Sequence, residues 1–199
     1  MKLPTAWFLP KNPDVLGLLR AQATTVGEAI TALDSFSVTA AADLRHALIR
    51  QADQRREVLM AVREAFSTPL EAEDLFELAE RLSEIAEAAY MLVREADLSH
   101  TGPDEHLAAM LAAISIAYTE LITAMDKLPH GAAAGVADRV VPVLITADHA
   151  YRRAIAALEN EPDIRREVRL RELYRRTEHL AGAVGRLAHR IWYAVCKIS

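Results

Sequence analysis

Leu75-Phe76-Glu77-Leu78-Ala79-Glu80-Arg81 and Leu170-Arg171-Glu172-Leu173-Tyr174-Arg175-Arg176 carry one pattern, L-x-E-L-x-x-R, at a separation of 95 residues. The same separation pairs Ala86 and Leu92 with Ala181 and Leu187, and earlier in the chain Leu16 with Leu111, Leu33 with Leu128 and Asp43 with Asp138. It also sets Ala52-Asp53 against Ala147-Asp148. Helices rich in alanine and leucine match by chance at some offset, but one ungapped offset that serves three consecutive helices indicates a duplicated unit.

Helical spacing defines that unit. A first helix reads Val15, Leu19, Ala23, Val26, Ile30, Leu33, with Pro13 near its start, and a second reads Leu44, Leu48, Ala52, Leu59, Val62, Phe66. Thr68-Pro69-Leu70-Glu71 predicts the start of the third: Thr68 caps, Pro69 takes the first helical position and Glu71 reaches back to complete a capping box. Its core line is Leu75, Leu78, Leu82, Ile85, Ala89, Leu92. Ser99-His100-Thr101-Gly102-Pro103 breaks the chain, and Asp104 and Glu105 suit the positive end of a fourth helix. That helix carries Leu107, Leu111, Ile114, Tyr118, Leu121, Met125 and Leu128 before Pro129-His130-Gly131 stops it. A fifth runs from about Ala133 to Leu158 with a bend at Pro142, and a sixth follows Asn160-Glu161-Pro162 through Leu170, Leu173, Leu180, Val184, Leu187 and Ile191. No segment alternates long enough to be a strand. The expected fold is all-α: six long helices as two tandem three-helix bundles in a single compact domain, with an extension over 1–12, a first repeat over 13–99 and a second over 103–199.

The totals agree with this plan. Of 199 residues, 52% are apolar and 26% charged, which suits a packed core, and only 7 glycines and 8 prolines leave room for long elements and few loops. A net charge of −5 provides no broad basic field, so nucleic acid is not an expected partner. The single cysteine, Cys196, excludes an internal disulfide and a cysteine-rich metal site, and is expected to fill a small apolar space in the last helical turn. The stretch Met1-Lys2-Leu3-Pro4-Thr5-Ala6-Trp7-Phe8-Leu9-Pro10 is too short and proline-broken for a signal peptide. No other run is expected to cross a bilayer free of charges, so the protein should remain in the cytoplasm, with Trp7, Phe8 and Leu9 packed on the bundle.

Enzyme motifs are missing: there is no H-E-x-x-H, no G-x-S-x-G and no phosphate-cradling glycine loop. No histidine has a glutamate three residues before it, as di-iron bundles require, and Asp43-x-x-His46 reads as a surface pair. Asp53 and Asp148 lie on partly apolar helical lines and need a partner: an arginine such as Arg56 or Arg152, a backbone donor, or a metal ion. Glu73, Glu77, Glu80, Glu84 and Glu87 form an acidic ridge on the third helix. Arg45, Arg50, Arg55, Arg56 and Arg63 on the second helix, and Arg165, Arg169, Arg175 and Arg176 on the sixth, supply the opposite sign. These ridges are either a solvated face laced with ion pairs or a docking surface for a charged partner.

Several of these segments resemble one family. Phe8-Leu9-Pro10-Lys11 is similar to its short proline-containing N-terminus, and Gln51-Ala52-Asp53 to the end of its E-x-E-A-D signature, which Ala147-Asp148 repeats. Ser67-Thr68-Pro69-Leu70-Glu71-Ala72-Glu73-Asp74-Leu75 resembles its Thr-Pro helix start, Leu82-Ser83-Glu84-Ile85-Ala86-Glu87 its L-D-D-I-x-D segment, and Leu173-Tyr174 the opening of its last helix. The family is that of the PhoU-like proteins encoded beside Pit-type inorganic phosphate transporters. The resemblance implies six helices, no catalytic activity, and a cytoplasmic accessory or regulatory role on such a transporter, with membrane association only through that partner. It also implies, for many members, metal clusters held by an acid four residues before the signature aspartate and by acids on the third helix. Ile49 and Leu144 occupy the first positions in this chain, and Gly182 and Gly185 stand on the sixth helix where acids are expected. The expectation is therefore no cofactor. The alternatives are a divalent-metal-binding helical protein using Asp53, Glu84, Glu87 and Asp148, or a structural scaffold that forms homo-oligomers through its charged ridges.

Overall fold

The computed structural model describes residues 12–33 and 38–198, with residues 38–40 described by their backbone alone. The helices are α1 (Val15–Ala32), α2 (Val38–Glu64), α3 (Ala72–Ser99), α4 (Glu105–Asp126), α5 (Ala132–Asp138), α6 (Val140–Ala157) and α7 (Ile164–Cys196), with a short 3-10 turn at Leu158–Asn160. No strand occurs among the described residues. Residues Trp7, Phe8 and Leu9 lie outside them.

Aspartates start three of the helices. Asp14 accepts from the Gly17 backbone N–H, Asp104 from Leu107 and Asp163 from Arg165, each at 2.9 Å, satisfying an N–H that the helix leaves without a partner. The expected cap of α3 is different. Thr68 donates its hydroxyl proton to the Leu70 carbonyl at 2.6 Å, so it closes a turn, and the helix begins at Ala72 after Glu71. The cause is Leu70, which is 2% exposed: the chain turns inward to bury it before the helix starts. At its other end α3 stops in a Schellman motif. His100 takes a left-handed conformation (φ 50°), its N–H bonds the Asp97 carbonyl at 3.2 Å and that of Thr101 bonds Ala96 at 3.1 Å.

The long fifth helix is broken into α5 and α6, and the break falls at Arg139, three residues before Pro142. Pro142 has no N–H to offer the carbonyl of Asp138, one helical turn earlier, and its ring crowds that carbonyl.

Helices α1, α3, α4 and α7 form the centre. Within the first repeat α1, α2 and α3 pack on one another, and within the second α4, α6 and α7 do so, with α5 against α4 and α7. The two bundles meet along α3 with α7 and α1 with α4. The predicted stripes of α3, α4 and α7 are buried throughout. In α2 the buried line is Leu44, Ala47, Gln51, Val58 and Ala61; Leu48, Ala52, Leu59 and Val62 sit at its flank, and Phe66 lies beyond the helix end, exposed. Cys196 is exposed too and fills no space, because the last turn of α7 points it away from Ala194 and Val195, which are buried.

Burial refines the repeat. Between α1 and α4, and between α3 and α7, buried residues coincide at the 95-residue offset: Leu19 with Ile114, Val26 with Leu121, Leu78 with Leu173, Leu92 with Leu187. Between α2 and α5–α6 they coincide one residue later: Leu44 with Val140, Gln51 with Ala147, Val58 with Ala154. Asp53 therefore corresponds to His149, and Asp148 to Ala52. The matching Ala-Asp pairs are out of structural register, since an extra residue precedes the second copy's middle helix. Helix α4 also qualifies the membrane expectation: by length and composition it could cross a bilayer, and half of its most apolar window is buried inside the bundle.

Candidate functional site

The sequence-predicted acids fall on separate surfaces. Asp53 is exposed and paired with Arg56 in the next turn of α2. Asp148 on α6 pairs with Arg152 at 2.8 Å. Glu84 of α3 is held by Arg81 at 2.7 Å and by Arg186 of α7 at 3.3 Å. Glu87 shares with Glu84 a groove between α3 and α7 that Arg175, Arg176 and His179 also line. Among the described residues no three histidine, cysteine or carboxylate side chains converge as metal ligands would. The cluster implied by the resemblance does not fit this donor set: three of its four candidate acids already hold guanidiniums, and Gly182 and Gly185 contribute no donor.

Most of the acidic ridge of α3 is consumed in the same way. Glu77 binds Arg81 at 3.0 Å and Glu80 binds Arg55 of α2. On α7, Glu172 accepts from Arg175 at 2.8 Å and forms an ion pair with Arg176 at 2.9 Å, and Arg176 also reaches Glu95 of α3 at 3.2 Å. The Arg175 hydrogen bond is the main cause that holds the Glu172 carboxyl below the usual carboxylate range. Arg55–Glu80 and Arg176–Glu95 cross between helices and the others lie within one helix; all are partly exposed, so each contributes modestly.

Two further grooves lie at equivalent places in the two bundles. In the first, between α2 and α3, a groove of about 610 Å³ is lined by Arg45, His46, Ile49, Tyr90, Arg94 and Asp97, with Ala41 and Ala42. In the second, two contiguous cavities of about 370 and 480 Å³ share Val141, Ala188 and His189. In the structural register Val141 replaces Arg45, Ile145 matches Ile49, Gly185 replaces Tyr90, His189 replaces Arg94 and Trp192 replaces Asp97. The second groove is apolar at two of the charged positions of the first, Arg45 and Asp97. Gly185 shapes it: a Cβ there would stand 3.2 Å from Leu144 Cδ1, tighter than ordinary packing. Neither groove was singled out from the sequence. The signal lay in the repeat itself, but only after the middle helix is shifted by one residue.

No family model matches the chain, and no curated protein matches it in sequence. Solved structures do match in fold. A PhoU-like protein from Shewanella oneidensis MR-1 superposes with a TM-score of 0.78 at 16% identity, over 92% of this chain and 99% of that one. The phosphate transport system regulatory protein PhoU from Streptococcus pneumoniae gives 0.69 at 15% identity over 90% of each chain. PhoU from Pseudomonas aeruginosa gives 0.67 at 17% identity over 92% of each. The chain has the PhoU-like fold.

Proposed function

We propose that this protein is a non-enzymatic regulator of phosphate transport, a binding module that docks from the cytoplasmic side on a Pit-type inorganic phosphate transporter. The observation that carries the reading is the shared fold, which extends over nearly the full length of proteins described as phosphate regulators. Fold alone does not assign function, so the surfaces must supply the rest. They suit binding more than catalysis: open grooves on the flanks of a rigid bundle, and side chains engaged in ion pairs and not gathered around a reacting centre.

The test is affinity purification of the tagged full-length chain from its own membranes, followed by mass spectrometry. A phosphate permease should co-purify. Recovery of none, in both phosphate-poor and phosphate-rich cells, would overturn the accessory role.

A further inference from the structure

Arginine in this molecule is usually matched with an acid. Arg50 pairs with Glu28, Arg55 with Glu80, Arg81 with Glu77 and Glu84, and Arg190 with Asp74. Arg45 of α2 and Arg94 of α3 depart from that pattern. They line the same groove of about 610 Å³ and neither forms an ion pair among the described residues. The groove's own acid, Asp97, stands one turn beyond Arg94 and pairs with neither. The duplication supplies an internal control. At the same place in the second bundle Val141 stands for Arg45, Trp192 for Asp97 and His189 for Arg94, so the fold does not require a pair of arginines there.

The ligand chemistry follows from the donors. Two guanidiniums present planar N–H pairs suited to the oxygens of a phosphoryl group. His46 and the Tyr90 phenol supply further N–H and O–H donors. Ionised Asp97 can only accept, so it favours an anion that still carries a proton on one oxygen. Monohydrogen phosphate has that proton and sulfate at neutral pH lacks it. We propose that the α2–α3 groove binds a phosphoryl oxyanion through Arg45 and Arg94, with Asp97 accepting a hydrogen bond from its protonated oxygen. The proposal rests on the regulatory reading for its meaning, naming the effector such a regulator would sense.

The full-length protein should be titrated with inorganic phosphate, methyl phosphate and sulfate, followed by calorimetry and by amide chemical shifts. The expected result is saturable phosphate binding with shifts centred on α2 and α3. Affinity should fall by about tenfold or more in the R45A/R94A double variant, since charge-assisted bonds to both guanidiniums are lost. An R63A/R169A variant, which removes two other exposed arginines that form no ion pair among the described residues, should bind as the wild type does. D97N should narrow the preference for phosphate over sulfate. Inorganic phosphate should bind more tightly than methyl phosphate, whose dianion carries no proton for Asp97 to accept; the reverse order would overturn the Asp97 hydrogen bond. Equal binding of sulfate and phosphate by the wild type, no saturation, or equal losses in the two double variants would overturn the site. Transporter capture without phosphate binding removes this site and leaves the regulator; phosphate binding without capture does the opposite.

Discussion

Asp74 shows how one buried side chain joins the two bundles. It is 1% exposed, at the start of α3, and meets Arg190 near the end of α7 at 2.6 Å and Lys197 at 3.2 Å. Arg190 and Lys197 also lie over the Tyr193 ring, at 5.0 and 5.3 Å from its centre. A charge so enclosed is tolerable only while paired, and removing one partner strands the other. Arg190→Ala, which leaves the enclosed Asp74 carboxylate with Lys197 alone, should therefore cost about 3–5 kcal/mol, the range for a broken buried pair, measured as a lower denaturant midpoint at neutral pH. A cost comparable to that of Asp53→Ala, whose exposed pair with Arg56 is worth little, would show that the enclosure does not matter. The sequence displays both aspartates as acids on helices. Which one is buried depends on Arg190, more than a hundred positions away, so no local pattern separates Asp74 from Asp53.

Elements show the same division between local and distant causes. Helices α3, α4 and α7 carry leucine-rich stripes on one side, and their periodicity was enough to place them. Helix α2 has alanine, leucine or methionine on several sides, so its pattern permits more than one buried line, and packing on α1 and α3 selects the one through Gln51. Gln51 is accepted in the core because Ser83 donates to its side-chain oxygen at 2.9 Å and Gln22 at 3.2 Å. Contacts between helices also finish helix ends. Arg20 of α1 reaches the C-terminus of α4 and donates to the carbonyls of Met125, Asp126 and Leu128 at 3.3, 3.1 and 2.9 Å. A guanidinium there satisfies acceptors that α4 cannot and opposes its negative end. Arg20→Ala should lower stability by about 1–2 kcal/mol, and Arg20→Lys should recover only part of it because an ammonium cannot spread over three carbonyls. Denaturation curves for both variants decide this; a lysine variant as stable as the parent would show that charge alone suffices.

At the scale of the whole molecule, the two bundles are not independent parts. The helices that make the interface, α1, α3, α4 and α7, are also the ones that carry most of each bundle's core. Tyr118 of α4 donates its phenol to the Ala23 carbonyl of α1 at 2.8 Å across that seam, and burial pushes its ionisation well above the ordinary value. Residues 12–99 expressed alone should therefore fail to give a monomer with a cooperative melt, because α1 and α3 would present apolar faces to water. Circular dichroism melts and light scattering on that fragment are the check: a cooperative, monomeric fragment would mean that the bundles fold separately. The asymmetry between the α2–α3 groove and its counterpart belongs to this scale as well. It is visible only by comparison of the two bundles, one with arginines in the groove and one with Val141 and His189 in their places.

The sequence by itself determined the helical class, the two three-helix bundles and the stripes of α3, α4 and α7, since the stripes depend on residues within a few turns of one another. It also contained the resemblance to PhoU-like proteins that the fold then matched. The tertiary structure alone decided the one-residue shift of the middle helix, the late start of α3, the burial of Asp74, the exposure of Cys196 and the pairing of the charged ridges. Those depend on which side chains from distant segments arrive at the same place. Burial and the pairing of charges between helices are properties of that meeting, whereas pairs such as Asp53 with Arg56 and Asp148 with Arg152 follow from helical spacing alone.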